Sequence, residues 1–203
     1  MEGVLVAHIS AAERRPQFIE AAIVVIARDG VDGATTRRIA DEAKAPLATL
    51  HYCFQTKENL LVAVFEHLSS EMSVDLDSIA VKGASTATVA ERVLTATMQW
   101  LVDRPVRARA EIEIDLWAQR NDPEMARGIY DGFRQAWTDL LMKGRTPLPA
   151  AEVETLVRVM IALADGLTMQ FISDLDPQRT MRDTETACTM IRSYLKSRSR
   201  AAA

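Results

Sequence analysis

The stretch PLATLHYCF, residues 46–54, places a histidine, a tyrosine, a cysteine and a phenylalanine in consecutive positions. Such side chains can bind a metal, act as a nucleophile and base, or contact a large polar partner. On a helix each residue turns the direction by about 100°, so His51 and Cys53 point about 200° apart. They cannot easily hold one metal or form one nucleophile and base pair. Helical geometry therefore disfavours a metal or thiol-catalysis site within this stretch alone.

The rest of the sequence offers no other recognisable catalytic motif. His8 and His67 lie at no ligand spacing, and there is no Gly-rich phosphate loop or nucleophile motif. Cys53 and Cys188 lie far apart in helical patterns, so we expect reduced, packed side chains rather than a disulfide. We therefore expect no catalytic residues, no metal and no cofactor. An active site assembled from scattered residues would leave no such motif.

The composition predicts a folded protein without a membrane span. The 203 residues are 48% hydrophobic with only eight Gly and seven Pro, which suits one or two closely packed domains. No stretch approaches the roughly 18 uninterrupted apolar residues of a membrane span. The N-terminal MEGVLVAHIS lacks the features of a signal peptide. We expect a cytoplasmic location.

The charge is unevenly distributed along the chain. A net charge of -4 argues against a protein that coats nucleic acid nonspecifically. Residues 33–57 differ, because basic residues outnumber acidic ones there: Arg37, Arg38, Lys44 and Lys57 against Asp41 and Glu42. This small positive footprint suits phosphate contacts by a site-specific binder, although a solvated helix surface would carry the same charges.

Apolar periodicity and capping residues predict four helices in the first part of the chain. The first begins near Pro16 and ends at Asp29 and Gly30. Thr35 can cap a second helix over 36–44, and Pro46 opens a third over 46–54. Thr56 can cap a fourth from 57 to about 80. The second and third helices, joined by a tight turn and braced by the first, match a helix-turn-helix whose second helix enters the DNA major groove.

The third helix divides into two faces. Leu50 and Phe54 point together, and we expect them to pack on the first two helices. The other face is expected to point outward at least in part: Leu47, Ala48, Thr49, His51 and Tyr52.

The remainder of the chain also reads as helices. Proline-containing breaks separate the five expected ranges, which are 86–103, 105–121, 123–144, 151–174 and 178–197. No useful strand-like alternation occurs. The expected fold class is all-α, with about nine helices, and the small-residue stretch 82–88 joins its two parts.

The run TTRRIADEAKAPLATLHYCFQTKENLL, Thr35 to Leu61, resembles the DNA-binding domain of TetR-type (TetR/AcrR) transcriptional regulators. ADGLTMQFISDLDP, Ala164 to Pro177, resembles the penultimate helix of the branch that includes choline-responsive BetI-like repressors. The resemblance implies a helix-turn-helix DNA-binding domain over 1–60 and a larger helical ligand-binding and dimerisation domain over 61–203. Lys44, Pro46 and His51 depart from the family, which usually has Gly, a capping Ser or Thr, and Tyr there.

The resemblance also implies which residues contact DNA. Thr36 and Lys57 would meet phosphates, with Arg38 as a further candidate, and residues 47–49 would meet base edges. The complete predicted set is Thr35, Thr36, Arg38, Pro46, Leu47, Ala48, Thr49, His51, Tyr52 and Lys57.

Two apolar stripes suggest a dimer contact. From periodicity alone each stripe could equally be domain core, but the resemblance favours a four-helix bundle across a two-fold axis. The predicted contact residues are Val153, Leu156, Val157, Met160, Ile161, Ala164, Leu167, Met190, Ile191 and Tyr194.

Large aromatic, Met and acidic residues are the candidates for a ligand site. They are Met98, Trp100, Glu113, Trp117, Tyr130, Phe133, Trp137 and Met169, although aromatic residues also fill ordinary cores. An inward-pointing Glu113 near Trp117 or Trp100 would favour a cationic or amine ligand through ion pairing and cation–π attraction.

The expected function is that of a ligand-responsive regulator. As a homodimer it would bind a palindromic, double-stranded operator, most simply as a repressor, and a small-molecule effector would release it. An all-helical small-molecule-binding protein or enzyme without DNA function is the alternative, and a helical adaptor is a third class.

Overall fold

The computed structural model describes residues 11–77, 83–145 and 148–201, which form nine α-helices and no β-strand. The helices are α1 Ala11–Gly33, α2 Thr36–Glu42, α3 Leu47–Phe54, α4 Lys57–Asp77, α5 Thr86–Asp103, α6 Pro105–Asn121, α7 Pro123–Met142, α8 Ala150–Asp174 and α9 Pro177–Ala201. The all-α prediction is confirmed, and the proline breaks separate the helices as expected. His8, Lys82 and the predicted end of α4 near residue 80 lie outside the described residues.

Helix α1 is longer than predicted at its beginning. It starts at Ala11, so Pro16 lies inside the helix rather than at its first position. Gly30 has φ 71° and ψ 169°, which interrupts the helical backbone at the predicted place. Residues 31–33 form a further turn that leads into α2.

The helix-turn-helix closes through local hydrogen bonds. The Thr35 hydroxyl accepts from the Arg38 backbone N–H at 3.3 Å, and the Thr56 hydroxyl accepts from that of Asn59 at 3.1 Å, so both predicted caps are confirmed. Between α2 and α3, Lys44 takes a left-handed φ of 50°. The Ala45 N–H donates to the Ala40 carbonyl at 3.0 Å across this turn, a pattern that usually has glycine at the Lys44 position.

Helix α1 braces α2 and α3 through a small apolar core. Leu50 and Phe54 are buried, as predicted, and the Phe54 ring meets Phe18 of α1 edge to face with centroids 6.4 Å apart. The Arg15 guanidinium also lies over the Phe54 ring, 4.7 Å from its centroid. This packing fixes which face of α3 points outward.

Helix α8 forms the centre of the C-terminal helices. Its length and composition would allow a membrane span. Its apolar side chains instead pack against α5, α6, α7 and α9. The high mean hydropathy of α8 is therefore explained by its place in the core.

The predicted dimer-contact residues differ in how far this packing buries them. Most of the predicted residues are buried in the chain's own core: Val153, Leu156, Val157, Met160, Ile161, Ala164 and Ile191. Neighbours in the same chain cover most of the surface of these side chains. Leu167 is half-buried, whereas Met190 and Tyr194 are 62% and 42% exposed.

Helix α4 links the two parts of the chain. The predicted domain boundary, between Leu60 and Leu61, falls inside this helix. Both residues are buried with the N-terminal helices, while Phe65 further along meets Phe133 of α7 edge to face at 6.0 Å. The hydrophobic core is consequently continuous across the boundary.

Replacement of Lys44 by glycine should raise the free energy of unfolding by about 0.5 to 1 kcal/mol. A left-handed conformation strains a residue that has a Cβ, and glycine relieves this strain although it makes the unfolded chain more flexible. Ala48→Gly, on an exposed helical position, should instead lower the free energy of unfolding by about 0.5 to 1 kcal/mol. Urea unfolding followed by circular dichroism measures both. A destabilised Lys44→Gly protein would contradict the expectation.

Candidate functional site

The outward face of α3 is the first candidate surface. Ala48, His51 and Tyr52 are exposed, and the Tyr52 side chain is 78% accessible. Leu47 and Thr49 are half-buried at the margins of this face. Because Leu50 and Phe54 anchor the opposite face in the core, α3 presents short apolar and hydroxyl-bearing groups outward, which can contact a thymine methyl group or a base edge.

Two basic side chains near α3, Lys57 and Arg38, form hydrogen bonds within the protein. The Lys57 ammonium donates to the Val31 carbonyl at 2.5 Å and lies at the first residue of α4. Arg38 donates to Asp29 and to the Gly33 carbonyl, each at 3.3 Å, so its guanidinium is already engaged within the protein. Pro46 occupies the position before α3 without a side-chain cap.

Arg37 is a further candidate that the predicted DNA-contact set left out. Its side chain is exposed, and it has no ion-pair partner among the described residues. The local excess of basic residues was the signal that could have selected it. Thr35 uses its hydroxyl in the cap, and Thr36 is half-buried at the start of α2.

A small cavity lined by the five helices α4, α5, α6, α7 and α8 is the second candidate site. Its volume is about 40 Å³, which is room for about three water molecules. The lining residues are Met72, Thr97, Leu101, Glu111, Ile112, Asp115, Ile129, Tyr130, Phe133, Trp137, Ile161, Ala164, Asp165 and Thr168. The wall is thus mostly apolar and aromatic, with a few polar groups, as in sites for small organic molecules.

Three carboxyl groups meet at this cavity. Glu111 and Asp115 lie one helical turn apart on α6, and Asp165 lies on α8. The Tyr130 hydroxyl is 3.1 Å from an oxygen of Asp115 and 3.0 Å from one of Asp165. A phenol has one proton to donate, so it can satisfy only one carboxylate at a time.

Burial and mutual repulsion keep protons in this cluster. Burial, together with the charges of Asp165 and Asp115, raises the pKa of Glu111 to about 8. Burial also raises the pKa of Asp165 to about 6, against the opposing effect of the Tyr130 hydrogen bond. The pKa of Tyr130 is raised above its usual range, since burial and two carboxylates oppose a phenolate. At neutral pH the cluster therefore holds a neutral Glu111.

Several polar atoms of the cavity residues lack partners. Within the described part of the chain, no hydrogen bond reaches Glu111 Oε2, Asp115 Oδ1, Thr97 Oγ1 or Trp137 Nε1, all of which are buried. Buried polar atoms are normally paired, so four such atoms at one cavity indicate a place for a missing partner.

The predicted ligand residues lie in different places in the structure. Tyr130, Phe133 and Trp137 line the cavity, whereas Met98 and Trp100 are buried in the core outside it. Met169 is exposed on α8. The acidic residues that reach the cavity are Glu111, Asp115 and Asp165 rather than Glu113. The signal for Asp165 was a charge inside the otherwise apolar stripe of α8.

Glu113 and Trp117 lie on the side of α6 that faces the DNA-binding helices. The Trp117 indole N–H donates to Asp32 at 3.2 Å. A Cβ added to Gly30 would lie 3.3 Å from the Glu113 carboxylate, so α1 and α6 are in close contact there. These residues are therefore part of the contact between the two functional regions.

An ion-pair cluster strengthens the same contact. Glu20 of α1, His67 and Glu71 of α4 lie close enough to share a metal ion. Arg107 of α6, however, donates to Glu71 at 2.7 Å and to Glu20 at 3.0 Å, which already places a cation among them. Arg107 also lowers the pKa of Glu71. The cluster thus joins α1, α4 and α6 as an ion-pair network.

Comparison with known proteins agrees with this arrangement. Residues 18–64 match the family of bacterial regulatory proteins of the tetR type. The HTH-type nicotine-responsive transcriptional repressor HdnoR of Paenarthrobacter nicotinovorans is 31% identical over 169 residues, which cover 82% of this chain and 87% of that protein. The HTH-type transcriptional regulator BetI of Rhizobium meliloti is 31% identical over 157 residues, covering 76% and 75%.

A solved structure shares the fold. The TetR transcription regulator from Haloarcula marismortui superposes with a TM-score of 0.74 at 17% identity, over 90% of this chain and 98% of that one. The helix-turn-helix, the helical C-terminal region and these relatives define a DNA-binding transcriptional regulator rather than an enzyme. The chain belongs to the TetR family, and its relatives include BetI regulators, as the sequence resemblance predicted.

The neutral Glu111 predicts a pH-dependent stability. The folded protein holds this proton more tightly than the unfolded chain, whose pKa is near 4.5. The associated stability is complete below about pH 4.5 and is lost as the pH rises through about 8. We expect Glu111→Gln to abolish a loss on the order of 3 kcal/mol between about pH 5 and pH 9, because the amide stays neutral.

Urea unfolding of both proteins at several pH values measures this difference. Glu113→Gln, on the same helix but outside the cavity, is the matched control and should follow the wild type. Parallel pH curves for the wild type and Glu111→Gln would show that Glu111 is already ionised at low pH.

Proposed function

We propose that this protein is a repressor that binds a palindromic operator as a dimer and leaves it when a small molecule enters the cavity. The observation that carries the proposal is the exposed face of α3, held outward by the buried Leu50 and Phe54. The name of the HdnoR relative, a nicotine-responsive repressor, supports both the repressor role and the response to a ligand. DNA is the working partner, so we infer a cytoplasmic location.

Base recognition is assigned to α3 and phosphate recognition to its surroundings. Leu47 and Ala48 suit the thymine methyl group, and Thr49 suits a base edge. His51 and Tyr52 reach further from the helix and suit a phosphate or a base. Lys57 at the start of α4 and the exposed Arg37 supply positive charge beside the groove.

A dimer is proposed through the exposed sides of α8 and α9. Val159 and Met169 are 51% and 48% exposed on α8, opposite the buried stripe. Met190 and Tyr194 are exposed on α9, which packs against α8. These are large apolar side chains on adjacent helices, and one reading helix covers too few base pairs for tight binding alone.

Helices α6 and α4 are proposed to couple the cavity to DNA binding. α6 has Glu111 and Asp115 at the cavity and Glu113 and Trp117 against the DNA-binding helices. A ligand larger than about three water molecules must push the lining helices apart. Movement of α6 would displace α1 and change the spacing of the two reading helices, with a coupling of about 1 to 3 kcal/mol.

Selection of random duplex DNA by the purified protein tests operator binding. We expect an inverted repeat with half-site centres about 34 to 36 Å apart.

On the selected operator, Tyr52→Ala should weaken binding about 10- to 100-fold without loss of thermal stability, because this side chain is exposed and its contacts lie in the groove. Gln178→Ala, an exposed change on α9, is the control. Enrichment of no sequence, or equal binding by Tyr52→Ala, contradicts the proposal.

Paired charges on α9 should disrupt the dimer. We expect Met190→Glu combined with Tyr194→Glu to sediment as a monomer at about micromolar concentration, because two carboxylates would be buried without partners. Operator affinity should fall with it. Met142→Glu is the control, because it also places a carboxylate on an exposed methionine, at the end of α7, and it should stay dimeric. A dimeric double variant, or a monomeric wild type, rules out this contact.

A further inference from the structure

We propose that the cavity is a binding site for a small organic cation, an amine or quaternary ammonium with an apolar body, held by Glu111, Asp115 and Asp165. The inference rests on the proposed function only in naming this cation as the effector. The binding step itself involves no DNA.

The charge of the cavity wall is the first argument. Carboxyl groups face the cavity from α6 and α8, and Tyr130 faces it from α7. The lining residues described on α4 and α5 are uncharged: Met72, Thr97 and Leu101. No basic side chain is among the described lining residues, so the carboxyl groups lack a counter-charge from the protein. Buried carboxylates normally have one, and a cationic ligand would supply it.

Unpartnered atoms are the second and independent argument. Glu111 Oε2 and Asp115 Oδ1 are buried acceptors without donors among the described residues. Thr97 and Trp137 are 4% and 2% exposed, line the cavity and have side-chain polar atoms that are likewise unpaired. A cation would satisfy the carboxyl oxygens, and an acceptor atom elsewhere in the same ligand would satisfy the indole N–H.

The aromatic wall defines the rest of the ligand. Tyr130, Phe133 and Trp137 line the cavity, and aromatic rings attract organic cations and pack on apolar carbon. A strongly hydrated metal ion gains little from such a wall. The site therefore fits a cation whose charge is spread over carbon-bearing nitrogen.

Binding should also displace a proton. Glu111 is neutral in the empty cavity at neutral pH, with a pKa of about 8 raised by burial and by Asp165 and Asp115. The groups that face it are those two carboxyls and the Tyr130 hydroxyl of the same cluster. A permanent cation exchanges for this proton, so its affinity should rise about tenfold between pH 7 and pH 9.

Calorimetric titration of the full-length protein with permanent cations tests the site. The probes are tetramethylammonium, choline, benzyltrimethylammonium and N-methylpyridinium, and 3,3-dimethylbutan-1-ol is the neutral counterpart of choline. We expect at least one cation to bind with a Kd of about 0.1 mM or tighter, to release a proton at pH 7, and to bind far better than its neutral counterpart.

Matched variants distinguish the cavity from general attraction to an acidic protein. Glu111→Gln should abolish proton release, and Asp165→Asn should weaken cation binding at least tenfold. Glu113→Gln, which removes a charge from the same helix outside the cavity, should bind as the wild type does. The proposal is overturned if none of the four cations binds at about 10 mM or if the neutral alcohol binds as well as choline. It is also overturned if Glu113→Gln and Glu111→Gln change cation affinity and proton release to the same extent.

A separate operator titration keeps the two proposals apart. Cation binding without any change in operator affinity would leave the site intact and contradict ligand release. Operator binding that no cation alters, together with no calorimetric signal, would leave the DNA function intact and remove the cation site.

Discussion

The packing of α6 against α1 is the contact on which the arrangement of the whole protein depends. α1 supports α2 and α3 from beneath, and α6 is the C-terminal helix that α1 contacts most extensively. Gly30, Asp32 and Glu20 meet α6 through close approach, a hydrogen bond and an ion pair. Because the same helix lines the cavity, neither region can be repacked without an effect on the other.

The acidic cavity has an energetic cost to the empty protein. Carboxyl groups without partners destabilise a core, and a fold under selection for stability alone would replace them with apolar residues. Their presence beside aromatic rings therefore fits a site where stability is given up for binding. The small volume adds to this picture, since a small cavity with a protonated Glu111 limits both the empty space and the number of unpaired charges.

The helices could be predicted from the sequence because residues next to each helix end determine where the helix begins. Thr35 and Thr56 cap helices through neighbouring backbone N–H groups. Prolines stand at the first positions of α6 and α7, where they start a helix independently of tertiary contacts. Leu50 and Phe54 were assignable to the core for a similar reason, since a short amphipathic helix has one buried face.

The cavity was harder to predict because α6 is enclosed by other helices on several sides. Glu111 and Glu113 differ by about 200° around this helix, and both are partly covered by protein. Apolar spacing could not tell which side faced the cavity and which faced α1. The α8 stripe shows the same limit: periodicity identifies a buried face but not whether the same chain or a second protomer covers it.

The two faces of α6 have a consequence for how such regulators diversify. In the proposed mechanism, residues at the cavity determine the chemistry of the inducing compound and residues on α3 determine the promoter sequence. The junction between them at Trp117 and Asp32 need not alter when either set changes. A biosensor with new input specificity could therefore be built by substituting cavity carboxyls in this scaffold while its genetic output is retained.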